Sequence, residues 1–264
     1  MTPTRTAAIA PEPAPEDSAE WQALLAGRSG AVVAIADSPL ASLYGPLCAA
    51  RRQPSFAVGH LAQSLDGRIA TTGGLSKWLS GPEDLLHTHR MRALADAVVV
   101  GVNTVLSDDP QLTVRRCVGA SPVRVVIDPE RRLDGSQRLF RDGAAPTLLL
   151  TAAHRASAGE TLGHAEVVPV PGGPDGLDPR EIRRVLAGRG LTWLFIEGGG
   201  VTVSRFLAAG ALDRLQITVV PLLLGSGRPS ILLPEITDLK HSLRPRTRRF
   251  VLGDDVMVEC DFSG

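Results

Sequence analysis

AVVVGVNTVLSDDP, Ala97 to Pro110, decides the fold. Its first four residues are small, branched and apolar without alternation, the composition of a strand covered on both faces. Gly101 then opens a polar loop that carries Asn103, Thr104, Ser107, Asp108 and Asp109. In open α/β sheets ligands settle beyond the carboxyl ends of the strands, so this loop is placed to meet a cofactor or a sugar. A cluster of N-caps and Asx turns ahead of Pro110 is the plainer alternative, and for Asp109 it is the preferred one.

Similar apolar runs lie on both sides of this stretch: FAVGHLA (56–62), VRVVID (123–128), TLLLT (147–151), AEVVPV (165–170), WLFIEG (193–198), LQITVV (215–220) and VMVECDF (256–262). Helices are expected over Pro82 to Ala95, after the cap Asp178-Pro179, and over Gly200 to Ala209. The strand–helix alternation predicts an α/β fold with a mainly parallel central sheet covered by helices on both faces. Upstream, WQALLAG and LASLYGPLCAA read as short helices around a strand at 31–36. Residues 1–20, rich in Pro, Ala and Glu, read as a disordered arm, 21–53 as a small accessory segment, and 54–264 as the main domain.

Composition excludes several functions. The formal charge of zero offers no field for nucleic acid or an anionic membrane, and the Arg244–Arg249 cluster reads as a solvated loop entering the last strand. Cys48, Cys117 and Cys260 are widely spaced, which suits neither a disulfide framework nor zinc. No signal peptide or membrane span is expected, and a reducing cytoplasm is the expected location. Only Lys77 and Lys240 are lysines, so amine chemistry has few candidates.

Two further stretches carry chemistry. In WLFIEGGGVTVSRFLAAG (193–210) a buried strand ends in Glu197 and three glycines before a helix. Glycines let backbone approach a ligand, and amides at a helix start favour phosphate, although tight turns need glycine for geometry too. A carboxylate at that strand end is costly without a partner, such as ring N–H groups of a substrate. SLDGRIA (64–70) leads through a glycine-rich loop to Ser76 and Trp78; a turn explains Asp66-Gly67, and Trp78 either walls a flat heterocycle or caps the core.

Taken together, SLDGRIA, Ser76 to Trp78, the helix through Arg92, GVNTVLSDDPQLTVR (101–115), VRVVID, IEGGG and LDRLQITVVPLLLGSG (212–227) closely resemble the reductase domain of the riboflavin-biosynthesis deaminase/reductase and its single-domain relatives. The resemblance runs from about residue 55 to the C-terminus. It implies a dihydrofolate-reductase-like fold, NADPH as cofactor, and hydride transfer to C1′ of a ribosylaminopyrimidine phosphate taken as its ring-opened imine. It places NADPH on Ala62, Trp78, Thr104, Asp108 and the turn of Gly199, Gly200, Val201, Thr202, Val203 and Ser204. Substrate falls on Ser76, Arg92, Leu112, Arg115 and Glu197, with the arginines suited to a ribose phosphate. A homodimer is also implied. Without the resemblance, Arg92 reads as a solvated charge on a helix face.

The chain departs from the family pattern in three ways. His60 stands where a lysine is usual, and is assigned to substrate binding, though a lone strand histidine is more often a satisfied core residue. Gly200 and Val201 replace a proline and a threonine. No PCxxC occurs, so zinc deamination is not expected. The proton source stays open between water and Asp66. A same-fold reductase of a pterin or dihydrofolate, and a non-catalytic nucleotide-binding module, are the alternatives.

Overall fold

The computed structural model describes residues 19–27, 38–76, 79–173 and 176–263. The 1–18 part of the expected arm, the expected strand at 31–36 and Trp78 lie outside the described residues.

The first two helices are α1 (Ala19–Gly27) and α2 (Pro39–Ala49). Then come β1 (Phe56–Ser64), β2 (Arg68–Thr71), α3 (Pro82–Leu94), β3 (Ala97–Gly101) and α4 (Val102–Asp108). The middle of the chain forms β4 (Val123–Ile127), α5 (Arg138–Arg141), β5 (Thr147–Ala152), β6 (Thr161–Leu162) and β7 (Ala165–Val170). A short ribbon of β8 (Gly172–Gly173) and β9 (Gly176–Leu177) precedes α6 (Pro179–Ala187), β10 (Trp193–Glu197) and α7 (Gly200–Ala208). The chain ends in β11 (Arg214–Val220), β12 (Gly227–Pro229), β13 (Arg246–Leu252) and β14 (Asp255–Asp261).

Ten strands make one sheet in the order β13-β14-β11-β1-β10-β3-β4-β5-β7-β6. The neighbours from β11 through β7 are parallel, and the three pairs at the two ends are antiparallel. The central strands are apolar on both faces because both faces are covered. On one face Phe56, Val58, Val98, Phe195 and Trp193 pack against α1, α2, α3 and α4. On the other, Ala57, Val99, Leu194 and Ile196 pack against Ile182 and Leu186 of α6 and Val203 and Phe206 of α7. The α/β class with a mainly parallel sheet thus stands as the sequence predicts.

The 244–249 segment differs from expectation. From Arg246 onward it belongs to an edge strand, β13, paired antiparallel with β14, and only 244–245 precede the strand as a loop. Its exposed and half-buried side chains alternate, and arginines on an edge strand keep that edge from pairing with another chain. Arg248 turns back to the buried Glu259, donating from Nε at 3.1 Å.

Two glycines fix the close approach of elements at the site. A Cβ on Gly101 would stand 2.4 Å from the Thr202 hydroxyl, and one on Gly200 would stand 2.2 Å from the Ser230 carbonyl oxygen. At Gly200 the obstacle is backbone, so packing excludes a side chain there, whereas at Gly101 the Thr202 side chain would have to turn aside.

Candidate active site

A cavity of about 930 Å³ opens at the carboxyl ends of β1, β3, β4 and β10. Thr104, Asp108 and Glu197 all border it, so the loop after β3 and the turn after β10 converge. Their junction is a direct bond, the Gly199 amide donating to Thr104 Oγ1 at 3.0 Å.

One half of the cavity is built from glycine and the start of α7. Gly198, Gly199, Gly200, Val201 and Thr202 form its wall, continued by Gly101 to Thr104 and, farther out, by Ile127, Pro129, Leu177 and Arg205. The first amides of a helix have no carbonyl of their own helix to bond, and the macrodipole adds positive potential there. Thr202 N–H is taken up by the Gly199 carbonyl at 3.0 Å. A glycine wall against a helix start, beside an apolar slot, has the shape and donors that a dinucleotide needs.

The other half is polar and charged. Arg92, on α3, grips Glu197 in a two-pronged ion pair: Nε donates to Oε2 at 2.7 Å and Nη2 donates to Oε1. Its Nη1 donates to the Thr113 carbonyl at 3.0 Å. Arg92 is therefore a buried group with a dedicated partner, not the solvated helix-face charge that the residues alone suggested. Planar guanidinium fits carboxylate geometry, and this fixes the direction of the Glu197 carboxylate into the cavity wall.

Arg115 donates through its amide to His89 Nδ1 at 2.9 Å and through Nη1 to Thr113 Oγ1 at 2.6 Å. The amide bond makes Nδ1 of His89 an acceptor. Burial, reinforced by Arg92, Arg115 and Arg116, pushes the His89 pKa down to about 3. Burial and the charge of Arg92 likewise lower that of Arg115. Three arginines crowd one corner with a neutral histidine between them, a positive potential that an anionic group such as a phosphate would relieve.

Behind this corner lies a buried polar chain. His60 Nε2 is 3.1 Å from Asp84 Oδ1, and the Thr218 hydroxyl donates to the same oxygen at 2.6 Å. Burial alone would raise the Asp84 carboxyl, but the attraction of His60 and the bonds from His60 and Thr218 hold it well below the usual carboxylate range. His87, its ring centre 5.4 Å from that of His60, bonds Tyr44 Oη at 2.8 Å and Gln216 Oε1 at 2.9 Å. Burial, with the nearby charge of His60, lowers the His87 pKa to about 4.

Of the residues expected at the site, Ala62, Ser76, Thr104, Asp108, Arg115, Glu197, His60, Arg92 and the Gly199 to Thr202 turn border the cavity. Ser76 Oγ reaches Asp108 Oδ1 at 3.5 Å, joining two of them. Three do not border it. Leu112, at a positive φ of 55°, sinks into the first core face; Val203 sinks into the second. Ser204 also turns inward and accepts the Leu232 amide at 2.8 Å. The helical period explains the last two, since successive residues of a helix cannot all face one cavity.

Asp66 is not a wall of the cavity either. It accepts from Ser64 Oγ at 2.6 Å and from the amides of Leu224 and Gly225, and these bonds, that of Ser64 foremost, lower its pKa to about 2. It ties the β1–β2 turn to the 222–225 loop and has no proton to give near neutrality. Asp84, Thr88 and His89 line the site but were not anticipated. Asp84, Thr88 and Arg92 recur at helical i, i+4, i+8 spacing, a signal that marks one polar face of α3. Among the described residues no group of side chains could hold a metal ion, and no helix is long and apolar enough to cross a membrane.

Comparison with known proteins matches the same segments. Residues 55–248 fit the model of the RibD C-terminal domain. A 2,5-diamino-6-ribosylamino-4(3H)-pyrimidinone 5′-phosphate reductase from Methanothermobacter thermautotrophicus is 35% identical over 79% of this chain and 99% of its own length. The riboflavin biosynthesis protein RibD of Aquifex aeolicus is 34% identical over 75% of this chain but only 55% of its own length. This chain thus spans nearly all of the archaeal protein and about half of the RibD protein. A crystal structure of a Thermotoga maritima diaminohydroxyphosphoribosylaminopyrimidine deaminase/5-amino-6-(5-phosphoribosylamino)uracil reductase superposes with a TM-score of 0.67 at 27% identity, over 83% of this chain and 59% of that one. The matched span contains every strand end and turn that builds the cavity, and on these grounds the chain belongs to the RibD C-terminal domain family.

Proposed function

We propose that this protein is an NADPH-dependent reductase of a ribosylaminopyrimidine phosphate, giving the ribitylamino product in riboflavin biosynthesis. The observation that carries the reading is one cavity with two unlike ends: the glycine turn of α7 joined to Thr104, and Glu197 held by Arg92 beside Arg115. The names of the relatives support it.

The glycine half fits a dinucleotide. Gly199, Gly200, Val201 and Thr202 would hold the pyrophosphate, with Thr104 and Asp108 nearby and Ala62 on the sheet beneath. When bound, reduced nicotinamide supplies a hydride and its electrons, which is the hard part of the chemistry. The chain supplies orientation. Arg92 leaves two lone-pair directions of Glu197 unused, enough to accept N–H groups at the edge of an aminopyrimidine. Arg115, relieved by an anion, suits the ribose phosphate.

The test is direct. Purified protein mixed with NADPH and each pyrimidine phosphate, the deaminated and the still-aminated, should lose the absorbance of NADPH and give a product heavier by two hydrogens. Oxidation of NADPH with a pterin and none with either pyrimidine phosphate would move the assignment to a same-fold reductase of another heterocycle. NADPH binding without any turnover would leave a nucleotide-binding module.

A homodimer is part of the same reading. Leu223, Leu239 and Val251 are each at least 70% exposed, and Leu232, Leu233, Ile236 and Leu243 add to the uncovered apolar surface of the C-terminal third. Light scattering should give twice the chain mass at micromolar concentration; a monomer would contradict it.

A further inference from the structure

The proton source is the missing part of the reaction, and the buried polar chain bears on it. We propose that His60, held by Asp84 and Thr218, is the proton donor of the reduction. The proposal rests on the function proposed above. In that reaction C1′ of the imine forms a new C–H bond with the hydride, the C–H bond at nicotinamide C4 breaks, and the electron pair of the C=N double bond moves to nitrogen. That nitrogen takes one proton. His60 gives it and is reprotonated from solvent through the cavity.

The carboxyl and imidazole groups other than Asp108, which bonds Ser76 Oγ on the cofactor half, are disqualified one by one. Glu197 is engaged by Arg92 as an acceptor. His89 accepts the Arg115 amide at Nδ1 and is kept neutral by burial and three arginines. Asp84 is held as a carboxylate by its bonds to His60 and Thr218. Asp66 stands away from the cavity. His60 borders it, and its partner is the Asp84 carboxylate, 3.1 Å from Nε2. Nε2 is committed to Asp84 and Thr218, which leaves Nδ1 as the ring nitrogen for a ligand.

Position agrees with the chemistry. His60 on β1 and Glu197 on β10 are register partners in a parallel pair, both on the face that carries Phe56, Val58 and Phe195. Neighbouring strands lie about 4.8 Å apart, so the donor sits beside the carboxylate that would hold the heterocycle. The charged and titratable groups facing His60 are Asp84 and His87 of α3 and Glu197 with its Arg92. Thr218 and Gln216 of β11 complete the surround, and Gln216 passes to Glu259, which Arg214 and Arg248 neutralise. His87 is neutral between Tyr44 and Gln216, so Asp84 is the anion in direct contact with His60.

The test uses single-turnover NADPH oxidation with the ribosylaminopyrimidine phosphate across pH, together with NADPH titration and melting of each variant. A positioned general acid contributes about 100-fold or more. His60→Gln should lose at least that factor in the hydride-transfer rate, bind NADPH within threefold of wild type, and lose the alkaline limb of the pH profile. Asp84→Asn should move that limb to lower pH. Should Asp84→Asn fail to fold, the hydride-transfer rate of His60→Gln, whose amide can still bond Asp84, decides the proposal alone. A His60→Gln protein within threefold of wild type, or a limb unmoved in the folded variant, overturns the donor while leaving the functional reading intact. Absence of turnover by wild type overturns that reading and the donor together.

Discussion

Glu197 and Gly199 stand two residues apart on opposite halves of the cavity, and their substitutions should separate the two ligands. Glu197→Gln puts an amide nitrogen where one oxygen now accepts from Arg92, so the two-pronged pair cannot form and the group facing the heterocycle turns partly into a donor. Hydrogen bonds to charged groups are worth roughly 1.5–3 kcal/mol, so kcat/KM for the pyrimidine should fall by about 10- to 100-fold. NADPH affinity, read by fluorescence titration, should stay within threefold. Gly199→Val should do the reverse. A Cβ there meets only Thr104 Oγ1, at 3.5 Å, an ordinary contact, so the fold accommodates it while the side chain intrudes on the cofactor wall. NADPH affinity should fall at least tenfold with little change in melting temperature, and the opposite pattern in the two variants would mean that the halves of the cavity are exchanged. At this scale sequence reading reaches Glu197, because an acid at the end of an apolar run before three glycines is conspicuous. The burial of Arg92 is not legible locally, since its partner lies 105 residues away.

The elements most exposed to doubt from composition are α1 and α2, which read as an accessory segment. Trp21 is fully buried, meets Tyr44 edge-on with ring centres 5.5 Å apart, and donates from Nε1 to the Val118 carbonyl at 2.9 Å. Tyr44 in turn bonds His87 of α3, and Trp193 of β10 donates to the Leu47 carbonyl at 3.1 Å. We propose that these helices fold with the sheet as one unit. Trp21→Ala should therefore cost about 3–5 kcal/mol, seen as a shift of one cooperative denaturant transition. A separate early transition with the main one unmoved would show an independent segment. Central strands such as β3 and β10 are readable because burial on both faces demands unbroken apolar runs. β13 is not, because an edge strand takes its stability from one partner and wears arginines outward, so its residues resemble a loop.

For the whole molecule, the site lies in a fold that keeps two histidines neutral, and this sets its response to acid. His87 is lowered to about 4 and His89 to about 3, each mainly by burial, from an ordinary value near 6.5. Between those values and 6.5 the unfolded chain binds protons at both positions that the folded chain refuses. Stability therefore rises with pH through this window and is lost as pH falls through it. Asp84 acts in the same sense at lower pH: its depressed carboxyl contributes stability above the ordinary carboxylate range, which is lost on further acidification. Sequence could not supply this behaviour. The histidines of HTHRMR are two residues apart, yet one is held by Tyr44 and Gln216 and the other by the Arg115 amide, partners that only the assembled sheet and helices bring together. The melting temperature should hold steady above pH 7 and fall by several degrees from pH 6.5 to 4.5, measured by circular dichroism at constant ionic strength. His87→Gln, which keeps a hydrogen-bonding side chain but cannot be protonated, should melt lower at pH 7 and show a shallower decline over the same interval. A wild-type melting temperature flat from pH 7 to 4.5 would mean that neither histidine is kept neutral in the folded protein.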